Sequence, residues 1–319
     1  MVTEPSMRFK HAFVTGFTGI VGAALCRKLI DMNVQVTGYS RGTSAYCLPE
    51  GVEHVQGDVL DQGALVSSAA GADVIFHVAA AVHRSTSSYE EIEQMNVGGT
   101  QNAIHAASKI GAKLVHVSTV NVEGFRNGDL VDPYVATKSV AEDLISESVA
   151  IGLDAVIVRP SSVFGSEQGR AGLLVDRLLS GSLKALPAPS RRISPVWSND
   201  LAVALIAAAS VGVAGRTYTV AGPTLSTGDF VQGVCEAAVL KKPLISIPAL
   251  LFAVPLQLAW WGRYFTRWTP PVSVESLMND SAHDGADAAS LLGFSYTDIF
   301  EIFGDYRSHD RQVEVRSDD

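Results

Sequence analysis

Apolar runs without polar alternation recur along the first half of the chain, each followed by a stretch of helical periodicity. Residues 11–14, 34–39, 53–56, 74–79, 114–118 and 155–158 read as strands. Residues 23–30, 64–70, 91–110 and 135–151 read as helices. A strand that is apolar on both sides must be covered on both faces. Alternation with helices then gives an α/β fold built on a doubly wound parallel sheet. Right-handed crossovers open its ligand crevice at the C-terminal ends of the strands. The residues that follow each strand are therefore the ones expected to carry chemistry.

After the first strand comes Thr15-Gly16-Phe17-Thr18-Gly19-Ile20-Val21-Gly22, with its glycines at three-residue intervals. The spacing is T-G-x-x-G-x-x-G rather than G-x-G-x-x-G. Such a turn leaves backbone N–H groups free at the helix start, and without Cβ atoms a pyrophosphate can approach them. A tight strand–helix turn with no ligand would use the same glycines; the strand–turn–helix setting favours the phosphate cradle. Tyr39-Ser40-Arg41 ends the second strand. A plain NAD site usually has an acid there for the ribose hydroxyls. A serine and a guanidinium would instead accept a 2′-phosphate, which makes NADP(H) the preferred cofactor and NAD(H) the alternative. Thr43 and Ser44 could add hydrogen bonds.

Gly57-Asp58-Val59 follows the third strand, and His77-Val78-Ala79-Ala80-Ala81 closes the fourth. Asp58 could accept from an adenine amino group or cap the next helix. The small residues would let a strand end pass beneath a dinucleotide. Asn96-Val97-Gly98-Gly99-Thr100 lies in the long mid-chain helical region, and Ser118-Thr119 ends the fifth strand. Tyr134 and Lys138 stand four residues apart at the start of a helix, so both side chains share a face. A neighbouring ammonium favours phenolate and should lower the tyrosine from its usual pKa of about 10. That would make a tuned acid/base for a carbonyl–carbinol pair.

Thr15-Gly16-x-x-Gly19-x-x-Gly22, Asp58, His77-x-Ala79-Ala80, Asn96-Val97-x-Gly99-Thr100, Ser118-Thr119, Tyr134-x-x-x-Lys138 and Arg159-Pro160-Ser161-Ser162-Val163-Phe164-Gly165 follow one another in order. Together they resemble the extended short-chain dehydrogenase/reductases, the NAD(P)-dependent epimerase/dehydratase superfamily, over about residues 9–222 and weakly to about 294. The resemblance implies a Rossmann-type domain over residues 1–165, with 194–222 returning to it. Residues 166–193 and 223–319 would form a smaller substrate-binding lobe.

The resemblance also assigns roles. Tyr134 would exchange a proton with the substrate oxygen while the nicotinamide exchanges a hydride with its carbon. Lys138 would bind the nicotinamide ribose. The hydroxyl of Thr119, or of Ser118 as second choice, would orient the substrate oxygen; counting back from Val122-Glu123-Gly124 favours Thr119. Gly16, Phe17, Thr18, Gly19, Ile20 and Gly22 would line the pyrophosphate. Ser40 and Arg41 would meet the 2′-phosphate, Asp58 and Val59 the adenine, and Ala79, Ala80 and Ala81 the cofactor's middle. Asn96 and Val117 belong to the same cofactor set, with Pro160, Ser161, Ser162 and Val163 near the nicotinamide. A homodimer through the helices at 91–110 and 135–151 is implied as well.

Departures from the family narrow the reaction. Sugar-nucleotide dehydratases carry an Asp-Glu pair directly after the hydroxyl residue; here Val120 and Asn121 stand there. Epimerases carry a glycine- and arginine-containing loop before a Val-x-Asp strand end; here the run is residues 190–200, where Arg191 and Arg192 could still grip a diphosphate. Trp260, Trp261, Tyr264, Phe265 and Trp268 precede Pro270-Pro271, and Asp287-Ala288-Ala289-x-Leu291-Leu292-Gly293-Phe294 follows. This tail resembles the 3β-hydroxysteroid dehydrogenase-like and dihydroflavonol reductase-like branches, where an apolar lobe covers a bulky ring. The same aromatics could simply fill the lobe's core. The leading expectation is an NADPH-dependent ketoreductase, or the reverse dehydrogenase, on a bulky apolar or cyclic carbonyl or alcohol. A nucleotide-sugar 4-epimerase or 4-ketoreductase is the alternative, and a non-catalytic dinucleotide-sensing scaffold the third.

Composition adds exclusions. The 319 residues are 47% hydrophobic and 18% charged, enough for a well-buried core, and a net charge of −9 argues against nucleic acid. Cys26, Cys47 and Cys235 are odd in number and far apart, which suits a reducing cytoplasm and no zinc site. His77, His83, His105 and His116 show no metal-ligand spacing. No basic segment followed by an apolar one opens the sequence, so secretion is not expected. Residues 244–261 are uncharged, but Pro248 and Pro255 interrupt them and Ser246 and Gln257 lie inside. A proline-broken lobe segment is expected there rather than a membrane span, with peripheral membrane contact the lesser alternative.

Overall fold

The computed structural model describes residues 8–42, 50–81, 88–128, 132–165, 173–243, 245–248, 251, 257–258 and 280–304. Contacts divide the chain into two compact units. The first comprises Met1–Ser161, Ser198–Ala221 and Gly285–Ser295; the second comprises Ser162–Trp197, Gly222–Asp284 and Tyr296–Asp319. The first unit thus includes Gly285–Ser295, a segment the sequence reading gave to the lobe, because the helix within it packs on elements of the sheet unit.

In the first unit, β1 (His11–Thr15), β2 (Gln35–Ser40), β3 (Val52–Gln56), β4 (Val74–His77), β5 (Lys113–Val117), β6 (Ala155–Pro160) and β11 (Thr217–Val220) form one sheet. Its order is β11-β6-β5-β4-β1-β2-β3, and every pairing is parallel. The order reverses between β1 and β4, where such sheets open a crevice. The helices are α1 (Ile20–Asp31), α2 (Gln62–Ser68), α3 (Tyr89–Glu93), α4 (Gly99–Ile110), α5 (Asn121–Arg126), α6 (Pro133–Ala150), α8 (Ser198–Val211) and α10 (Ala286–Leu292). Local chemistry sets several of their ends. Asp61 caps α2, a Ser88–Glu91 capping box opens α3, and Asp132 caps α6 with Pro133 in its first turn. Gly111, at φ 70°, closes α4 in the left-handed conformation.

Phe13, Ile75, Leu114, Ala103, Ala107 and Ile145 pack into one buried cluster of this unit. Each large side chain so buried contributes roughly 1.5–3 kcal/mol. Elsewhere α1 packs on α8, whose Ala202, Ala204, Ala207 and Ala208 are all buried.

The second unit is built around Phe164, which meets the Phe230 ring edge-on at 5.5 Å and stacks on Phe303 at 5.6 Å. Val175, Leu178, Leu186, Ile193 and Val234 complete that core. Its regular elements are β7 (Val163–Phe164), α7 (Leu173–Leu179), β8 (Ala185–Pro187), β9 (Arg192–Ile193), β10 (Val196–Trp197), β12 (Leu225–Ser226), α9 (Thr227–Ala237) and β13 (Ile245–Ile247). Its strands pair two by two: β7 with β10, β9 with β12 and β8 with β13. Thr43, Ser44, Cys47, His83 and the aromatic group Trp260, Trp261, Tyr264, Phe265 and Trp268 lie outside the described residues, as does most of 244–261. No helix among the described residues is long and apolar enough to cross a membrane.

Candidate active site

The turn after β1 is held by contacts that only glycine permits. Gly16 has φ +70°, and a Cβ there would lie 2.6 Å from the Ala79 nitrogen. At Gly22 a Cβ would lie 2.4 Å from the Gly16 oxygen and 2.5 Å from the Phe17 Cα. Gly19 differs: its nearest neighbour would be the Gly16 oxygen at 3.5 Å, so the space over it is open. Gly19 is also the N-cap of α1 and offers no side-chain cap. The first-turn N–H groups of Ile20, Val21 and Gly22 are therefore aimed at whatever anion lies over the turn. Two glycines wind the turn and the third leaves it open, which fits a pyrophosphate. Thr18 is partly buried. Phe17 is fully buried; its ring fills the place of a side chain at Gly38 and lies 5.2 Å from the His54 ring. Its side chain is thus core, leaving only its backbone for a ligand.

At the end of β2, the Ser40 hydroxyl donates to the Gly42 carbonyl at 2.9 Å and lies 3.1 Å from His54 Nε2. Arg41 is exposed, and its carbonyl accepts from Gln56 Nε2 at 3.0 Å. Asp58 does not cap α2: Asp61 does, while Asp58 Oδ1 accepts from the Leu60 N–H at 3.0 Å. Val59 is buried, its carbonyl receiving Asn102 Nδ2 at 2.8 Å.

Ala79 and Ala81 are partly buried and Ala80 is exposed at the end of β4. The Asn96 amide is wholly engaged: Oδ1 accepts from the Ala81 N–H at 2.7 Å, and Nδ2 donates to the Ala81 carbonyl at 3.0 Å and to Thr137 Oγ1 at 2.9 Å. Thr137 in turn donates to the Tyr134 carbonyl at 2.7 Å. Asn96 is 1% exposed and sits in a π turn, Gln94–Gly98, that joins α3 to α4. Asn96 ties the loop after β4 to α6, with both of its Nδ2 protons engaged there.

Val117 and Ser118 are buried at the end of β5, and the Ser118 hydroxyl has no partner among the described residues. Thr119 is partly buried, and its Oγ1 receives the Asn121 N–H at 3.4 Å. Val120, where the dehydratases carry their acid, is buried and donates its N–H to the Pro160 carbonyl at 3.1 Å. Pro160 and Ser161 end β6 in the first unit, whereas Ser162 and Val163 belong to the second.

On α6, Lys138 is buried and its Nζ lies 3.2 Å from His116 Nε2. Burial brings Lys138 down to about 7, with the Glu142 carboxylate pulling the other way. Burial pushes the Tyr134 phenol up to about 12, helped by Asp132. This direction is opposite to the lowering expected from a neighbouring cation, because the phenol's own burial and Asp132 raise it. At neutral pH Tyr134 is therefore a protonated phenol. One helical turn beyond Lys138, Glu142 is held by the Arg159 fork at 2.8 and 2.6 Å, with Arg126 at 3.5 Å. Sequence reading gave no role to Glu142 or His54 and took His116 only as a histidine outside metal-ligand spacing; their partners come from segments distant in the chain. No cluster of His, Cys, Asp and Glu suited to a metal occurs among the described residues.

Residues 12–221 match the model of the NAD dependent epimerase/dehydratase family. The sterol demethylase protein B of Methylococcus capsulatus is 28% identical over 320 residues, covering 92% of this chain and 95% of that protein. A 3 beta-hydroxysteroid dehydrogenase/Delta 5-->4-isomerase of Mycobacterium tuberculosis is 29% identical over 319 residues, covering 89% and 85%. Among solved structures, UDP-glucose 4-epimerase of Thermotoga maritima with UDP-glucose superposes with a TM-score of 0.75 at 18% identity, over 95% of this chain and 99% of that one, which is a likeness of fold. The chain belongs to the NAD dependent epimerase/dehydratase family and is an NAD(P)-dependent oxidoreductase of the extended short-chain dehydrogenase/reductase type.

Proposed function

We propose that the protein is an NADPH-dependent ketoreductase, or the reverse hydroxy-dehydrogenase, acting on a bulky apolar or cyclic carbonyl substrate. The observation that carries this reading is the pairing on α6 of a phenol held in its protonated form with a buried lysine one turn away. Bound, the nicotinamide supplies the hydride. Tyr134 donates its proton to the carbonyl oxygen, and the Thr119 hydroxyl, with Ser118 behind it, orients that oxygen. Lys138 binds the nicotinamide ribose. The glycine turn holds the pyrophosphate through the first-turn amides of α1. Ser40 and Arg41, with no carboxylate beside them, favour a 2′-phosphate. Val120 and Asn121 leave water elimination without an acid/base pair. The names of the two relatives, a sterol and a steroid enzyme, favour an apolar ring system as substrate.

The alternative is a nucleotide-sugar 4-epimerase or 4-ketoreductase, favoured by Arg191 and Arg192 at β9. We also propose a homodimer through the helices at 91–110 and 135–151, where Val140 is exposed. The deciding experiment follows NADPH oxidation with a panel of cyclic ketones, and in parallel the interconversion of UDP-hexoses. Turnover of ketones alone supports the reading. UDP-hexose epimerisation, with dinucleotide retained through purification, overturns it.

A further inference from the structure

The reaction proposed above makes no use of two buried histidines. Parallel pairing places Thr15 beside His77, and His77 beside His116, so three polar side chains cross β1, β4 and β5 on one face. Thr15 Oγ1 accepts the Ala79 N–H at 3.2 Å and lies 3.0 Å from His77 Nδ1. The rings of His77 and His116 stack at 5.5 Å with 27° between their planes. His116 Nε2 then meets Lys138 Nζ at 3.2 Å. None of the four residues is more than 1% exposed.

Donor counting limits the proton positions. Thr15 Oγ1 accepts from Ala79 and keeps one proton and one lone pair for His77 Nδ1, so His77 fits there as either neutral tautomer. Where Lys138 is an ammonium it only donates, so His116 then accepts at Nε2 and carries its own proton on Nδ1. His77 Nε2 and His116 Nδ1 have no partner among the described residues. Such an arrangement costs free energy in an apolar sheet, and its one outlet is Lys138.

We infer that His116 positions Lys138: its neutral Nε2 accepts from the ammonium and keeps that cation charged beneath α6, while Thr15 and His77 hold the ring in place. The inference rests on the role proposed for Lys138. The other charged or titratable groups around it are Glu142 and Tyr134 on α6, with Arg159 from β6 and Arg126 from α5 acting through Glu142. Asp132 bears on Tyr134, and Glu123 on Arg159. Burial and the Lys138 charge hold His116 and His77 below their ordinary range, so both stay neutral acceptors. Burial opposes the ammonium, and the Glu142 carboxylate and a hydrogen bond to His116 both favour it.

NADPH affinity measured against pH tests this. The ammonium contributes to binding, so affinity falls as pH rises through the Lys138 titration. His116→Leu should move that fall about one pH unit lower, the size of one hydrogen bond to a charged group. His116→Gln, whose Oε1 can accept in place of Nε2, should restore it. A purely structural histidine would lower thermal stability and leave the pH of the fall unmoved, and that result overturns the inference. Should His116→Leu not fold, NMR of ¹⁵N-histidine in the unaltered protein decides. A neutral His116 protonated on Nδ1 supports the inference; an imidazolium or an Nε2-protonated ring overturns it. Full turnover of Lys138→Met would sink the proposed reaction instead. An inactive Lys138→Met beside an unmoved His116→Leu profile removes His116 alone.

Discussion

The glycines of the β1–α1 turn make opposite predictions within one motif. Gly22→Ala would place a methyl 2.4 Å from the Gly16 oxygen and 2.5 Å from the Phe17 Cα, both backbone atoms that cannot swing aside. Overpacking of that kind costs about 1–3 kcal/mol, and two backbone contacts put this case at the upper end. At roughly 2–4 °C per kcal/mol for a chain of this size, Tm should fall by ~6–12 °C. Gly19→Ala meets only the Gly16 oxygen at 3.5 Å, on a backbone with φ −82° and ψ 173° that any residue adopts. Weakening the N-cap should cost below ~1 kcal/mol, so Tm should hardly move. Its methyl would, however, stand over the first-turn amides, and NADPH should bind at least ~10-fold more weakly, about 1.4 kcal/mol. Calorimetry and a fluorescence titration with NADPH read both quantities on each variant. A stable Gly22→Ala, or a Gly19→Ala that keeps its cofactor affinity, would refute the division between winding and open glycines.

Removing the phenol by Tyr134→Phe should lower kcat by at least ~10²-fold, the scale of a positioned general acid, with NADPH affinity little changed. Arg41→Ala should weaken NADPH far more than NADH in parallel titrations; equal losses would sink the 2′-phosphate assignment. Arg159→Leu removes the fork from a carboxylate that is 2% exposed, and chemical denaturation should show a loss of about 3–5 kcal/mol. Burial takes His77 from an ordinary 6.5 to about 3. Between those values the unfolded chain binds a proton that the folded chain does not, so stability falls as pH falls through that window. Thermal melts of His77→Asn, whose carbonyl can still accept from Thr15, should show a shallower acid slope.

Much of the sheet was legible because buried parallel strands are written as uninterrupted apolar runs. Residues 114–118 and 155–158 fall within a residue or two of β5 and β6. The edge strand β11 escaped notice: four residues, Thr217–Val220, alternate exposed and buried positions and leave no such run. Helix α8 also escaped, because a helix buried on nearly all sides has no polar face to give it a period. The glycine turn and the Tyr134–Lys138 spacing were visible since each is local to one segment. The state of the phenol was not. Sequence spacing reports that an ammonium is near, but the burial of the phenol itself comes from segments distant in the chain. For the same reason the hydrogen bonds of Asn96 to Ala81 and Thr137 could not be read from the sequence.

The amide of Asn96 grips Ala81 on one side and Thr137 on the other. A single residue in an under-wound turn thereby gauges the distance between the loop leaving β4 and the start of α6. Tyr134 inherits its height from a helix that contributes nothing to the chemistry. A drift of that turn back to ordinary α-helical pitch would misplace the proposed proton donor without altering any residue proposed to touch substrate, and such a lesion would look like a failed enzyme with every reacting group intact.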